Sequence, residues 1–303
     1  MDLIRREAYN IIHKVLKDHH HSDRLLEQKA KKLTDQERNF LFHLVKGTIK
    51  MHLNLDYIAS TLTDKEKYQH TSLKIKSLLY LGLFQILYCG SVPDHSAVDE
   101  TVELAKNLFD SRVADFINAL LRSFLRNPEI EYPAELPQRF SLKYSFPPEM
   151  INKWLEYWGE KDTEELCIYF NRTPKLALRI NVMATNRERF MKYFTRKGWN
   201  LEETEASVNT FLTEYGQGIL HDVSFEEGYF SIQDPSSAMI VEMLDPQEEE
   251  NILDLFAGPG GKCTYISELM NNTGEVVAVD KFPQKSKKIK KSIQRLQVNN
   301  MII

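Results

Sequence analysis

Cysteine is scarce in this chain. Among 303 residues it occurs only as Cys89, Cys167 and Cys263, an odd number with no Cys-x-x-Cys pair. That excludes a disulfide framework and a cysteine-built zinc cluster. Long apolar runs are missing too. The longest, "LLYLGLFQILYC" (78–89), falls well short of the roughly 20 residues a helix needs to span a bilayer. The start, "MDLIRREAYN", places charges where a signal peptide needs an apolar stretch. There is no internal repeat. A cytoplasmic protein without a membrane partner is the expectation, and 303 residues suffice for about two domains.

Nor does the chain carry a strong charge of one sign. Its net charge is −4, with 39 Lys+Arg against 43 Asp+Glu. The distribution is uneven: residues 1–127 hold 19 basic against 16 acidic residues and eight of the nine histidines, while 128–303 hold 20 against 27. Such asymmetry suits a first half that meets a polyanion, and equally suits a solvated mixed surface. The triplet "HHH" (19–21) does not make a metal site, because three adjacent histidines cannot face one point from a helix and no second ligand cluster accompanies them. No metal is expected, and nothing implies an oligomer.

What is present is organised in four parts. Residues 1–127 read as helices throughout. Thr34 and Glu37 stand at capping-box spacing, and Phe40, Leu41, Leu44, Val45 and Thr48 follow at helical spacing. An all-α bundle is predicted. Five of the eleven prolines, Pro128, Pro133, Pro137, Pro147 and Pro148, then crowd one segment, so regular structure is not expected to run through it. With the helical stretches "EMINKWLEYWG" and "DTEELCIYFN" it forms a connecting region, 128–173. Residues 174–232 read as a small α/β subdomain. It holds a strand in "LALRINV", a helix in "TNRERFMKYFTRKG" with Thr185 and Glu188 at capping-box spacing, and a strand in "GYFSIQ". From 233 on, Asp234 reads as the N-cap of a helix with Pro235 at its first position. Strand, glycine turn, helix, strand and a basic helix follow, and "MII" begins a third strand.

The glycine turn lies in "ILDLFAGPGGKCTYISELMNNTGEVVAVD" (252–280). Strand, turn, helix and strand make the first half of a doubly wound fold, which binds ligands beyond the carboxyl ends of its strands. Gly258, Gly260 and Gly261 let the backbone approach a ligand, and the following helix N-terminus favours an anionic group. Asp280 ends the second strand 19 positions after Gly261, near the spacing at which a carboxylate meets ribose hydroxyls. A Walker A loop needs Gly at Phe256 and Ser or Thr at Cys263, and the dinucleotide pattern needs Gly at Cys263, so both fail. An adenosyl ligand without a pyrophosphate fits, and S-adenosylmethionine is such a ligand. Spacing alone also admits a tight βα turn with no ligand. Asp254 is read as a brace for the turn through backbone N–H groups.

"LDLFAGPGGK" resembles the cofactor motif of the Sun/Nop-type RNA cytosine-5 methyltransferases, usually LDxCAAPGGKT. "FNRTPKLALRIN" and "GYFSIQDPSSA" resemble two further segments of that family. "RREAYNIIHKVL", "LTDQERNFLFHLVKGTIK", "VPDHSAVDETVELAK" and "FINALLRSFLRN" resemble, in order, a NusB-type RNA-binding domain. The two together are the arrangement of the RsmB/Sun-type ribosomal RNA methyltransferases. Here Phe256 stands where the family has Cys, Gly258 where it has Ala and Cys263 where it has Thr.

The resemblance implies an all-α NusB-like bundle followed by α/β structure: a small α/β subdomain, then the first part (233–303) of a doubly wound Rossmann-like sheet. It also implies S-adenosylmethionine held by Phe256, Ala257, Gly258, Pro259, Gly260, Gly261, Lys262 and Asp280. The reaction implied is methylation of C5 of a cytosine in small-subunit ribosomal RNA. Family members use cysteines of later P-C and T-C motifs, and these motifs do not occur in the 303 residues. The expectation is therefore a fragment, inactive alone, with no catalytic residue of its own. Cys89 and Cys167 read as buried small hydrophobes, and Cys263 as part of the cofactor loop rather than a nucleophile. A different reading is a non-catalytic NusB-like RNA-binding module with a remnant methyltransferase segment. Candidate RNA contacts are Arg5, Arg6, Arg122 and Arg126, together with the lysines of "KFPQKSKKIKKSIQR".

Overall fold

The computed structural model describes residues 3–214 and 218–303. Contacts divide the chain into two compact units, Met1–Arg172 and Thr173–Ile303.

The first unit is helical: α1 (Leu3–Asp18), α2 (Ser22–Ala30), α3 (Asp35–Lys50), α4 (His52–Thr61), α5 (Lys65–Gln69), α6 (Leu73–Tyr88), α7 (Asp94–Leu108), α8 (Ser111–Arg126), α9 (Gln138–Tyr144) and α10 (Pro148–Asn171). The capping box that opens α3 forms as its spacing predicts. Glu37 N–H donates to Thr34 Oγ1 at 3.4 Å, and Thr34 N–H donates to Glu37 Oε2 at 2.9 Å. The apolar run of α6 is its buried part, with every residue from Ser77 to Gln85 inside the bundle. A helix apolar on all sides belongs at the centre of a bundle, and α1, α3, α4, α7 and α8 surround this one. Gly47 of α3 has a packing role, since a Cβ there would overlap the Phe84 ring of α6.

The proline-rich segment differs from expectation, because α9 forms inside it. Gln138–Tyr144 contains no proline, and Pro137 immediately precedes the first turn, where a missing N–H costs no intrahelical bond. The segment is tied to α4 by buried Asn54. Its Nδ2 donates to Tyr132 Oη (2.7 Å) and to Leu142 O (3.0 Å), while its Oδ1 accepts from Tyr88 Oη (3.0 Å). Helix α10 breaks at Gly159 (φ 74°), between the two helical stretches read from sequence.

In the second unit the elements are β1 (Leu176–Ile180), α11 (Arg187–Arg196), β2 (Glu202–Glu203), β3 (Thr210–Thr213), α12 (Val223–Glu226), β4 (Phe230–Ile232), α13 (Pro235–Leu244), β5 (Asn251–Asp254), α14 (Gly261–Leu269), β6 (Glu275–Ala278), α15 (Pro283–Leu296) and β7 (Met301–Ile302). They build two sheets. The first is antiparallel, in the order β2-β3-β1-β4, with Leu178, Ile180, Phe190, Phe194, Phe211 and Phe230 in its core. The second is parallel, in the order β5-β6-β7, with Ile252 opposite Val276 and Val276 opposite Met301. Its third strand lies where "MII" was expected to begin one.

One cap differs from the sequence reading. Asn186, not Thr185, opens α11, and its Oδ1 accepts from Arg189 N–H at 2.9 Å. Thr185 lies one residue too early, and its hydroxyl donates to Asn186 O instead. Asp234 caps α13 as expected, accepting from Ser236 N–H at 2.9 Å, with Pro235 at the first helical position.

Candidate donor-binding site

The site is built at the carboxyl ends of β5 and β6. Backbone bonds continue the pairing past both strands: Val279 N–H donates to Asp254 O (2.8 Å), and Ala257 N–H donates to Val279 O (3.0 Å). The start of the glycine turn is thereby fixed against the end of β6. Asp254 Oδ1 accepts Phe256 N–H at 3.0 Å, the bracing bond expected of it.

Asp280 is brought against the turn. Its Oδ2 accepts Gly258 N–H at 3.0 Å, and its Oδ1 accepts Phe282 N–H at 2.9 Å. Lys285 of α15 adds an ion pair at 3.3 Å. The Phe282 and Gly258 amides and the Lys285 ammonium outweigh desolvation and hold the carboxyl below its ordinary value, so it is an acceptor at neutral pH. Two carboxylate oxygens offer about four lone-pair sites, so accepting capacity remains beyond these three donors. Gly258 suits this close approach, because a Cβ there would stand 2.6 Å from Asp280 Oδ2.

The other residues of the loop separate into two sets. Ala257 is buried, and Gly260 takes φ 115°, a conformation that favours glycine. Gly261 begins α14 and Lys262 follows on its exposed side. Phe256 and Pro259 point outward, Phe256 at 87 % exposure. The turn thus presents backbone at Gly258 and Gly261, with Gly260 buried against Ile289 of α15, an acceptor at Asp280 and the amino end of α14. These features fit a ribose-bearing ligand with an anionic end.

Sequence reading missed a buried polar cluster behind the turn. Strand alternation sends Leu178 and Ile180 into the phenylalanine core and Arg179 to the opposite face. There Arg179 is fully buried. It makes a two-pronged ion pair with Glu268 of α14, whose side chain is equally buried, and its Nε donates to Gln233 Oε1 at 2.6 Å. Its guanidinium carbon lies 4.2 Å from the centre of the Tyr265 ring. Tyr265 Oη in turn donates to Glu242 Oε1 at 2.7 Å, an oxygen also bound by Ser207 Oγ at 2.6 Å. The available signal was a charged residue in the middle of "LALRINV". Its partner lies 89 positions away, and no local pattern announces it.

None of the cysteines suits a nucleophile. All three are free and buried. Burial pushes the thiols of Cys89 and Cys167 up to about 11. Cys263 is pushed up to about 12, by burial first and then by the charge of Asp254. The amino end of α14 does not compensate for that desolvation.

Of the candidate RNA contacts, Arg5 donates to Gln85 Oε1 at 2.6 Å and lies 5.2 Å from the centre of the Phe40 ring, so it belongs to the bundle's packing. Arg122 bonds Asn118 and pairs with Asp99. Lys281, Lys287, Lys288, Lys290 and Lys291 are exposed around α15. No helix among the described residues is long and apolar enough to cross a membrane.

Three stretches of the chain match known protein families. Residues 3–126 match the NusB family. Residues 146–212 match the ferredoxin-like domain of RsmF/B-like methyltransferases, and residues 241–303 match the 16S rRNA methyltransferase RsmB/F family. A probable ribosomal RNA small subunit methyltransferase B of Bacillus subtilis is 32 % identical over 97 % of this chain and 66 % of its own length. One from Synechocystis is 31 % identical over 100 % and 66 %. The chain therefore spans about two thirds of the length of these relatives. Among solved structures, the crystal structure of PH0851 superposes with a TM-score of 0.70 at 18 % identity, covering 100 % of this chain and 69 % of that one. A methyltransferase homolog protein from Pyrococcus horikoshii gives 0.50 at 24 % identity over 54 % and 53 %. At these identities the two structures speak for the fold alone. In sequence and in the order of its parts, a NusB-family domain followed by RsmF/B-type ferredoxin-like and methyltransferase segments, the chain belongs to the RsmB/Sun-type methyltransferase family.

Proposed function

We propose that these residues serve an S-adenosylmethionine-dependent methyltransferase acting on C5 of a cytosine in small-subunit ribosomal RNA. The observation that carries the reading is the contact between Asp280 and the Gly258 amide, which sets an ionised carboxylate beside a side-chain-free turn at the amino end of α14. Phe256 to Lys262 supply the loop that holds the donor, and Asp280 accepts from its ribose. The bound group supplies an electrophilic methyl; the chain's part is to orient it. In this reading residues 1–127 bind the RNA, residues 128–173 connect, residues 174–232 form the small α/β subdomain, and residues 233–303 contribute the donor site in the cytoplasm.

The relatives' names support ribosomal RNA as the substrate class. The burial of all three cysteines supports a second statement: the 303 residues do not by themselves provide the thiolate that cytosine-5 chemistry needs. Should these residues act only as an RNA-binding module, the chain would bind RNA without binding the donor. Calorimetric titration with S-adenosylmethionine tests the proposal. Saturable binding that Asp280→Ala weakens supports it, and absence of binding removes it.

A further inference from the structure

We infer that Gln233 is a further donor-binding residue, its side-chain amide N–H meeting the carboxylate of the methyl donor's amino-acid portion. The inference rests on the methyl-donor reading above.

Gln233 follows β4 and is held by its backbone, since its N–H donates to Ala177 O at 3.2 Å. Its side chain is held as firmly. Arg179 Nε donates to Oε1 at 2.6 Å, and the rest of that guanidinium is engaged by Glu268 and Ile180 O. A guanidinium only donates, so the amide can turn only its oxygen towards Arg179. Nε2 must then face the other way. The residue is 7 % exposed, and Nε2 has no hydrogen-bond partner among the described residues. A buried donor left unmatched carries the full cost of its desolvation. Here the cost is imposed by an ion pair that fixes the amide in place.

The orphan donor adjoins the glycine turn. A Cβ built on Gly261 would stand 3.5 Å from Nε2, so the amide borders the space that a side chain would fill at the first residue of α14. The first N–H groups of a helix also lack intrahelical acceptors, and Gly260, in the capping position, brings no side chain to serve them. Two sets of donors thus converge where glycine leaves room, and what satisfies both is an anionic acceptor. Within the proposed donor the carboxylate is the anionic group, and Asp280, at the other end of the turn, is left to the ribose. Glu268, which reaches this cluster through Arg179, is neutralised by its own pair and does not repel an incoming anion.

The test is calorimetric titration of the 303-residue chain with three probes. These are S-adenosylhomocysteine, its decarboxylated analogue, and 5′-methylthioadenosine, which lacks the amino-acid portion. Gln233→Glu is the informative variant, because it keeps an acceptor for Arg179 and replaces the donor by an anionic oxygen. A charge-assisted hydrogen bond contributes about 1.5–3 kcal/mol, or roughly tenfold or more in affinity. Gln233→Glu is therefore expected to weaken S-adenosylhomocysteine about tenfold or more and to leave methylthioadenosine within about twofold. On the unmodified chain, decarboxylation should weaken binding by a similar factor, a comparison that needs no variant to fold. Equal affinity for the carboxylated and decarboxylated probes would overturn the inference and leave the donor site standing. So would Gln233→Glu weakening all three probes alike. Failure of the unmodified chain to bind any probe would instead remove the donor reading, and this inference with it.

Discussion

Arg179 of β1 and Glu268 of α14 form a fully buried, two-pronged ion pair that joins the antiparallel subdomain to the helix behind the glycine turn. Burial pushes the Glu268 carboxyl up, opposed by the neighbouring guanidinium. The pair withstands desolvation because Gln233, Ile180 O and the Tyr265 ring satisfy the rest of Arg179. Removing one member leaves an uncompensated charge in the interior, which costs about 3–5 kcal/mol, whereas replacing both by apolar groups of similar volume is near neutral. Arg179→Met should therefore lower the unfolding free energy of the chain by about that amount in urea titration. The double variant Arg179→Met with Glu268→Leu should recover most of it. A double variant no more stable than the single one would show that the pair's value lies in its geometry rather than in charge cancellation.

Asp280 makes its contacts through the carboxylate, so shape and charge can be separated. Asp280→Asn retains one acceptor oxygen for the Gly258 or Phe282 amide but loses the negative charge that Lys285 pairs with. Loss of a hydrogen bond to a charged group costs about 1.5–3 kcal/mol. S-adenosylmethionine binding is expected to fall about tenfold or more in both Asp280→Asn and Asp280→Ala, as measured by calorimetry. Unchanged affinity in Asp280→Ala would detach this residue from the donor site.

How far these features were legible depends on how far apart in the chain their causes lie. The Thr34–Glu37 box, the Asp234–Pro235 cap and the turn from Gly258 to Gly261 are local, and each stands where its spacing places it. Asp280 was reachable because one helix and one strand separate it from the turn, and their lengths are narrowly constrained. Arg179 and Gln233 were not reachable. What makes Arg179 a buried pair is Glu268, 89 residues on, and what makes Gln233 an orphan donor is the orientation Arg179 imposes. The missed cap at Asn186 has a different cause. Thr185 and Asn186 are both good capping residues, and the start of α11 decides between them.

The thiols give a simple check of the nucleophile argument. With Cys89 and Cys167 at about 11 and Cys263 at about 12, hardly any thiolate exists at neutral pH. Iodoacetamide at pH 7.5 should leave all three unmodified in the native chain and alkylate all three in urea, read by mass spectrometry. Rapid native labelling of Cys263 would return it to the list of candidate nucleophiles. By the same argument, the 303 residues should transfer no methyl group to RNA.

Asp222 gives the small subdomain an acid-sensitive element. Burial alone would raise its carboxyl. The Lys197 ammonium, the Ser224 hydroxyl and amide and the Tyr193 hydroxyl outweigh that and hold it at about 2, against an ordinary 3.8. Because the folded value is the lower one, the stability it contributes is present above about pH 4 and is lost as pH falls towards 2. Asp222→Asn should therefore destabilise the chain at pH 7 and lose less further stability than the parent between pH 4 and 2. Circular-dichroism melts across that range give the comparison, and parallel curves for parent and variant would refute it.

Gly228 tests the seam between β4 and α15. Its φ is +78°, and a Cβ there would run into the Arg295 carbonyl oxygen, a backbone atom that cannot swing away. The same seam is closed by Arg295, whose Nη1 donates to Phe225 O at 2.6 Å and Phe230 O at 2.8 Å, and by Asn181, whose Nδ2 donates to Gly228 O at 3.0 Å. A left-handed conformation costs a side-chain-bearing residue about 1–2 kcal/mol, and here displaced backbone adds to it. Gly228→Ala should thus destabilise the chain by at least about 2 kcal/mol. Gly90→Ala, at a position where a Cβ meets nothing within 4 Å, should be close to neutral. Denaturant titration of the two variants side by side separates the seam's requirement from the general effect of adding a methyl group. Equal stabilities would mean that α15 slides freely against β4.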